Sequence, residues 1–174
     1  MTEEKWDLSL LDSGGRSALK RNAGIMMGND MMALEAFWRA AQNVPRGQEK
    51  IWYACMCFDC LWRAEDHPEI KPFEEMLRSI YQDRDTSESI QHRIISITDV
   101  PWGEDGFLLG KLANFIRMMK AKNAAVKPDF QKLSDDLRYW NASEHKVQRR
   151  WIETICRYRK EDTMQNKEEV NYVD

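Results

Sequence analysis

The sequence predicts an all-α fold of about eight helices in two packed helical-bundle lobes, and three observations carry that prediction. Apolar residues recur with helical spacing almost throughout residues 13–160. No short run alternates apolar and polar residues between turn residues, as a half-buried strand would. Residue types that start or stop helices fall between the apolar runs. With 43% hydrophobic and 32% charged residues among 174, the chain has the apolar content to bury a core, which excludes a disordered protein. Eight Gly and five Pro are too few for a fibrous or loop-dominated chain.

After an N-terminal extension over 1–12, the first helix is expected over 13–22. It carries Arg16, Lys20 and Arg21, with Gly24 as a left-handed stop. A second begins after Asn29-Asp30 and includes Met32, Ala36, Phe37 and Ala40. The third, over 47–64, is apolar nearly all round, with Ile51, Cys55, Phe58 and Trp62 along one face and Trp52, Tyr53 and Met56 elsewhere. Such a helix belongs in the middle of a bundle. Pro72 suits the first turn of a fourth helix running to Tyr81. Asp85-Thr-Ser-Glu88 resembles a capping box that opens a fifth, with Ile90, Ile94 and Ile97 inward.

Val100-Pro-Trp-Gly103 interrupts the pattern and marks the boundary between an N-terminal lobe, 13–99, and a basic C-terminal lobe, 100–160. The sixth helix, over 104–122, buries Leu108, Leu112, Phe115, Ile116 and Met119. Pro128 begins the seventh, where Phe130, Leu133, Leu137 and Trp140 face inward. Ser143 is the expected cap of the eighth, with Val147, Trp151, Ile155 and Tyr158 inward. The acidic end, 161–174, has no apolar periodicity and is expected to be a disordered tail.

The net charge of −3 conceals a segregation by sign. Residues 111–160 carry +8, residues 1–110 carry −7 and residues 161–174 carry −4. A basic C-terminal half on an acidic chain points to a polyanion surface. On the eighth helix Lys146, Arg149, Arg150, Arg157 and Lys160 fall in a broad sector opposite Trp151. On the sixth, Arg117 and Lys120 share one flank of the apolar stripe and Lys111 and Lys122 the other. Spaced, mobile cations of this kind neutralise phosphates and release counterions, giving affinity independent of sequence. Asp135-Asp136 are adjacent, diverge on a helix and read as solvated surface.

Other chemistries have less support. The Cys55-x-Cys57-x-x-Cys60 cluster cannot close a metal site on a continuous helix. Cys57 and Cys60 lie roughly 60° apart while Cys55 faces nearly the opposite way. The sequence therefore predicts reduced, buried thiols and neither metal nor cofactor. No nucleophile motif or phosphate-cradling glycine loop is present. Arg138 and His145 match the loose Arg-x(4 to 6)-His spacing of all-helical HEPN ribonucleases, although Asn141 interrupts the helix between them. That leaves a stand-alone helical ribonuclease as an alternative. Apolar runs fall far short of the roughly 18 residues a spanning helix needs, and Met1-Thr-Glu-Glu lacks the basic start of a signal peptide. A soluble cytoplasmic protein is expected.

Four stretches carry a family resemblance: Ile-Gln-His-Arg93, Leu-Ala-Asn-Phe-Ile-Arg117-Met-Met-Lys120-Ala-Lys122, Val-Lys-Pro-Asp-Phe-Gln-Lys-Leu-Ser-Asp-Asp-Leu137-Arg138-Tyr-Trp140, and Val147-Gln-Arg-Arg-Trp151. The most specific part is a V-x-x-D-[FW]-x-x-L-x-x-D-L-x-x-W helix followed by V-Q-R-R-W. Gly15-Arg-Ser-Ala-Leu-Lys-Arg21 and Ala36-Phe-Trp-Arg39 fit more loosely. In these stretches the chain resembles the small subunit of the type I-E CRISPR surveillance complex, Cascade: the CasB family. The resemblance implies a non-enzymatic, all-α subunit of an antiviral ribonucleoprotein. It would sit as a pair of copies against the crRNA-coating backbone subunits and the large subunit, and help hold crRNA and target DNA. Matched position by position, the nucleic-acid-binding residues it implies are Arg16, Lys20, Arg21, Arg117, Lys120, Lys122, Arg138, Arg149 and Arg150, with some arginines of the V-Q-R-R-W stretch free to brace Asp135 or Asp136 instead. The chain departs from the family pattern at Gly103-Glu-Asp-Gly106, at Ala113 and in the tail after Lys160.

Overall fold

Every residue from 51 to 60 is buried, with the first, sixth and seventh helices packed against that segment, while the fourth and eighth helices pack on each other. The computed structural model describes residues 4–157; Tyr158, Lys160 and the acidic segment 161–174 lie outside the described residues. Among the described residues there are eight α-helices. They are α1 (Ser13–Arg21), α2 (Met31–Ala40), α3 (Glu49–Asp59), α4 (Phe73–Tyr81), α5 (Glu88–Ser96), α6 (Phe107–Lys122), α7 (Phe130–Arg138) and α8 (Lys146–Cys156). Single 3₁₀ turns occupy Leu8–Leu10 and Ile97–Asp99. The all-α class holds, with one small addition.

That addition is a parallel pair of three-residue strands, β1 (Glu69–Lys71) and β2 (Val126–Pro128). Lys71 and Lys127 each precede a proline, whose ring pushes the preceding residue into extended backbone. Three residues are too few to show an alternating pattern. Pro72 and Pro128 accordingly sit just ahead of α4 and α7 rather than inside their first turns.

Side-chain caps begin four helices. Asp12 accepts from Gly15 N (2.7 Å), Asp30 from Ala33 N (3.1 Å), Ser87 from Ile90 N (3.3 Å) and Asp129 from Lys132 N (3.0 Å). Two of the expected helix starts are corrected. The fifth helix is capped by Ser87, not by a box from Asp85, whose own N–H donates to Asp83 in the preceding turn. Ser143 does not cap the eighth. Successive turns at Trp140, Ala142 and His145 carry the chain past it, and His145, at φ 51°, takes the cap position without a side-chain bond. α6 starts at Phe107, after Gly106 at φ 70°.

α3 ends at Asp59, earlier than the apolar pattern predicts. Past Cys60 the backbone tightens into Leu61 N–Phe58 O and Trp62 N–Asp59 O bonds, and the Trp62 indole donates to Ala124 O at 3.0 Å. An apolar pattern cannot distinguish a fourth helical turn from a buried tight turn.

The core is one cluster built from all eight helices, to which α5 contributes a single buried residue, Ile94. Phe58 and Trp62 meet Phe130, with ring centroids 5.9 and 5.6 Å apart. Trp151 lies between Phe73 (5.2 Å, stacked) and Trp140 (5.0 Å, edge-on). The inward residues expected on α6, α7 and α8 within the described range are all buried. The N-terminal extension closes one side: the buried Trp6 indole donates to Asp59 at 2.9 Å, and Lys5 pairs with Asp135 at 2.5 Å.

Candidate nucleic-acid interface

Gly24 determines how α1 meets α6. Its φ of +87° is left-handed, and a Cβ there would lie 2.8 Å from the Ala113 methyl. Only glycine permits that approach. With the α1–α2 turn held this close, Arg117 donates to Ala23 O at 2.9 Å. Arg21, Lys111 and Arg117 then line one groove of about 630 Å³, together with Ile25, Asp105 and Phe107. The sequence pattern assigns Lys111 and Arg117 to opposite flanks of α6; the groove is wide enough to take both.

One turn further along α6, Lys120 donates to Leu61 O and lies 5.8 Å over the Trp62 ring. Its ammonium is held below the usual lysine range, first by partial burial and then by the charges of Lys20 and Arg63, with Asp66 opposing. Lys20 from α1, Lys120 from α6 and Arg63 from the turn after α3 thus form one cluster of like charge. Arg16, one turn before Lys20, is half-buried and close enough to act on the Cys60 thiol.

The remaining sequence-predicted residues are elsewhere. Lys122 pairs with Asp83 at 3.5 Å. Arg138, exposed at the end of α7, lies 5.1 Å over the Tyr139 ring. Arg149 is exposed, and its side chain has no hydrogen bond or ion pair to another described residue. Arg150 is turned inward: it donates to the buried Asp136 at 2.5 Å and approaches buried Glu74 at 3.6 Å, which also takes Lys132 at 2.9 Å. Asp136 additionally accepts the Trp151 indole N–H at 2.8 Å, so the sequence-based view of it as solvated surface is corrected. Lys146 pairs with Glu144 at 2.7 Å and Arg157 with Glu153 at 3.1 Å. Instead of a continuous basic face, α8 offers one unpaired arginine among the described residues.

Sequence reasoning misses Arg63 because the apolar pattern runs the third helix past it, whereas α3 ends earlier. Lys111 is visible in the sequence, but its groove is formed by a chain approach that spacing does not encode. Another cleft among the described residues, about 980 Å³ beside the N-terminal extension, holds Lys5, Lys127 and Lys132 against Glu4, Asp7, Asp59, Asp129 and Asp135, so it does not favour a polyanion.

Burial pushes the Cys55 and Cys57 thiols far up and Cys60 to about 12, which keeps them protonated. Among the described residues no group of three or more His, Cys, Asp or Glu is placed to hold a metal ion. Arg138 and His145 are joined by no hydrogen bond there, and His145 sits in the cap position of α8. No described helix is long and apolar enough to cross a membrane.

Three solved structures share this fold. One is a chain of a CRISPR RNA-guided surveillance complex, 21% identical, with a TM-score of 0.66 over 89% of this chain and 88% of that one. The second is CasB of M. ruber, 14% identical, with a TM-score of 0.63 over 92% and 91%. The third is a CRISPR-associated protein of the Cse2 family from Thermus thermophilus, 18% identical, with a TM-score of 0.56 over 82% and 85%. No curated protein matches the sequence. Residues 15–154, which include the whole α1–α6 charge cluster and the V-Q-R-R-W segment of α8, match the family model of the CRISPR-associated protein Cse2. The chain therefore belongs to the Cse2 family.

Proposed function

We propose that this chain is the non-catalytic small subunit of a crRNA-guided type I-E surveillance complex, Cascade, working in the cytoplasm in antiviral defence. It steadies crRNA and target DNA by contacts to the sugar-phosphate backbone, while guide pairing reads the sequence. Its protein partners are the crRNA-coating backbone subunits, the large subunit and a second copy of itself. The observation that carries this reading is that the Cse2-matched region, 15–154, contains both cation groups of the α1–α6 junction, Lys20, Arg63 and Lys120 in one and Arg21, Lys111 and Arg117 in the other, along with Arg16.

Those residues are the main nucleic-acid track. Arg138 and Arg149, exposed on α7 and α8, make a second and smaller contact; Arg150 and Lys122 engage phosphate only by giving up their carboxylate partners. The track crosses the two-lobe division at residue 100: Arg16, Lys20, Arg21 and Arg63 come from the N-terminal lobe, and Lys111, Arg117 and Lys120 from the basic C-terminal lobe.

The test is affinity capture of the tagged chain from cells expressing the neighbouring CRISPR-associated genes. An assembly bearing crRNA should come down. Its target-DNA retention should weaken when Lys20 and Lys120 are both reversed to Glu, with the log-log salt slope falling by roughly 1 for each phosphate no longer neutralised. Capture without crRNA, or RNA cleavage that depends on His145, would overturn the reading.

A further inference from the structure

The groove between the α1–α2 turn and the start of α6 has a feature that backbone neutralisation does not need. Phe107 is the first residue of α6, lies on the groove wall and is 59% exposed, while the inward residues Leu108, Leu112 and Phe115 are buried. Lys111, one turn later, holds its ammonium 4.8 Å from the centre of the ring. Arg21 and Arg117 supply further positive charge; the amino-terminal end of the 16-residue α6 adds little, because the Asp105 carboxylate accepts the Phe107 N–H at 3.0 Å and opposes its dipole.

The groove is also kept open where an ordinary helix would fill it. Gly110 lies on its wall one turn from Phe107, and a Cβ there would meet nothing within 4 Å. A glycine inside a helix costs about 0.5–1 kcal/mol relative to alanine. Close packing against a neighbour does not require it here, so the open space itself is the feature to explain.

An exposed aromatic ring, three cations and a vacant strip of helix in one groove suit a ligand that is anionic along one edge and flat and apolar along another. An acidic peptide would satisfy the cations and leave the ring exposed. Duplex DNA offers phosphates but keeps its bases stacked inside. An unpaired nucleotide presents both surfaces at once. We infer that this groove is a single-strand subsite: phosphates lie between Arg21, Lys111 and Arg117, and one base stacks on Phe107. The inference rests on the nucleic-acid reading above and adds to it a preference for unpaired bases.

The test compares the purified full chain binding a fluorescent oligothymidylate and an abasic strand of equal length and charge, at low salt. The base-bearing strand should bind at least about fivefold more tightly, the size of one base-aromatic stack. Phe107→Ala should abolish that preference and Phe107→Trp should preserve it. Circular dichroism should show both variants folded, since the ring is exposed. Equal binding of the two strands by the wild type, or a preference that survives Phe107→Ala, overturns the subsite. If Arg21→Glu and Lys111→Glu weaken both strands while Phe107→Ala changes nothing, the phosphate track stands and only the subsite falls. Binding of neither strand removes both.

Discussion

The cations of α8 and those of α1 and α6 differ in what neutralises them. On α8 the neighbours are carboxylates: Glu144 takes Lys146, Glu153 takes Arg157, and buried Asp136 and Glu74 take Arg150. At the α1–α6 junction Arg117 and Lys120 hydrogen-bond to neutral carbonyls, those of Ala23 and Leu61, while Lys20 and Arg63 add like charge around Lys120 against the single opposing charge of Asp66 acting on it. A carbonyl bond orients a cation without cancelling it. The lesson is that local charge count is a poor guide to a polyanion surface; the field depends on which cations keep their charge uncompensated.

The comparison is tested most severely at the core of α8. Trp151→Ala should cost about 3–5 kcal/mol, because the indole is fully buried between Phe73 and Trp140 and its N–H satisfies Asp136. Arg149→Ala, two residues away but exposed, should change stability by no more than about 0.5 kcal/mol. Urea titrations of both variants decide it. Equal destabilisation would mean that α8 is rotated differently from the structure.

Gly24→Ala should cost about 1–3 kcal/mol through its left-handed backbone, with the Ala113 clash added. It should also weaken DNA binding by moving the α1–α2 turn off α6, so binding that survives the drop in stability would separate the groove from that turn. Smaller again is the contrast in charge reversal. The Lys20→Glu, Lys120→Glu double variant should lower the salt slope by roughly 2, and Arg149→Glu by at most about 1. The opposite ranking, read from fluorescence anisotropy over a salt series, would return the main track to α8.

The next effect depends on pH. Burial raises the carboxyl of Asp136 above its usual range, against the hydrogen bonds from Arg150 and Trp151. The folded protein therefore binds more protons than the unfolded chain between the ordinary value of 3.8 and the raised one. This group's contribution is greatest below that window and declines as pH rises through it. Relative to Asp136→Asn, wild type should lose melting temperature across that interval; a constant difference would show that Asp136 is not shifted. The smallest change is Gly110→Ala, which should add about 0.5–1 kcal/mol because open space receives the new methyl.

Much of the architecture follows from one-dimensional pattern. The inward residues of α6, α7 and α8 repeat at helical spacing, and Asp12, Asp30 and Asp129 stand where a helix start needs an acceptor. The V-x-x-D-[FW] segment, which carries the resemblance to the family, also has a local structural role: its aspartate caps α7 and its aromatic enters the core. Less was legible where two local solutions compete, as at the end of α3 or between Ser143 and His145 at the start of α8.

What the sequence determined by itself was the helical class, the inward faces, the family and the charge imbalance, since each depends on residues close together along the chain. Which cations remain available was decided only by the tertiary structure. Arg149 and Arg150 are adjacent in sequence, but about 100° of helix rotation puts one in solvent and the other on Asp136 and Glu74, 14 and 76 residues away. Likewise Lys20, Arg63 and Lys120 come from three separate segments: Gly24 lets the α1–α2 turn lie against Ala113 of α6, and the bonds of Lys120 to Leu61 O and of the Trp62 indole to Ala124 O hold the Arg63 turn beside the end of α6. Coulomb energy depends on distance through space and on burial, and neither is a property of neighbouring letters.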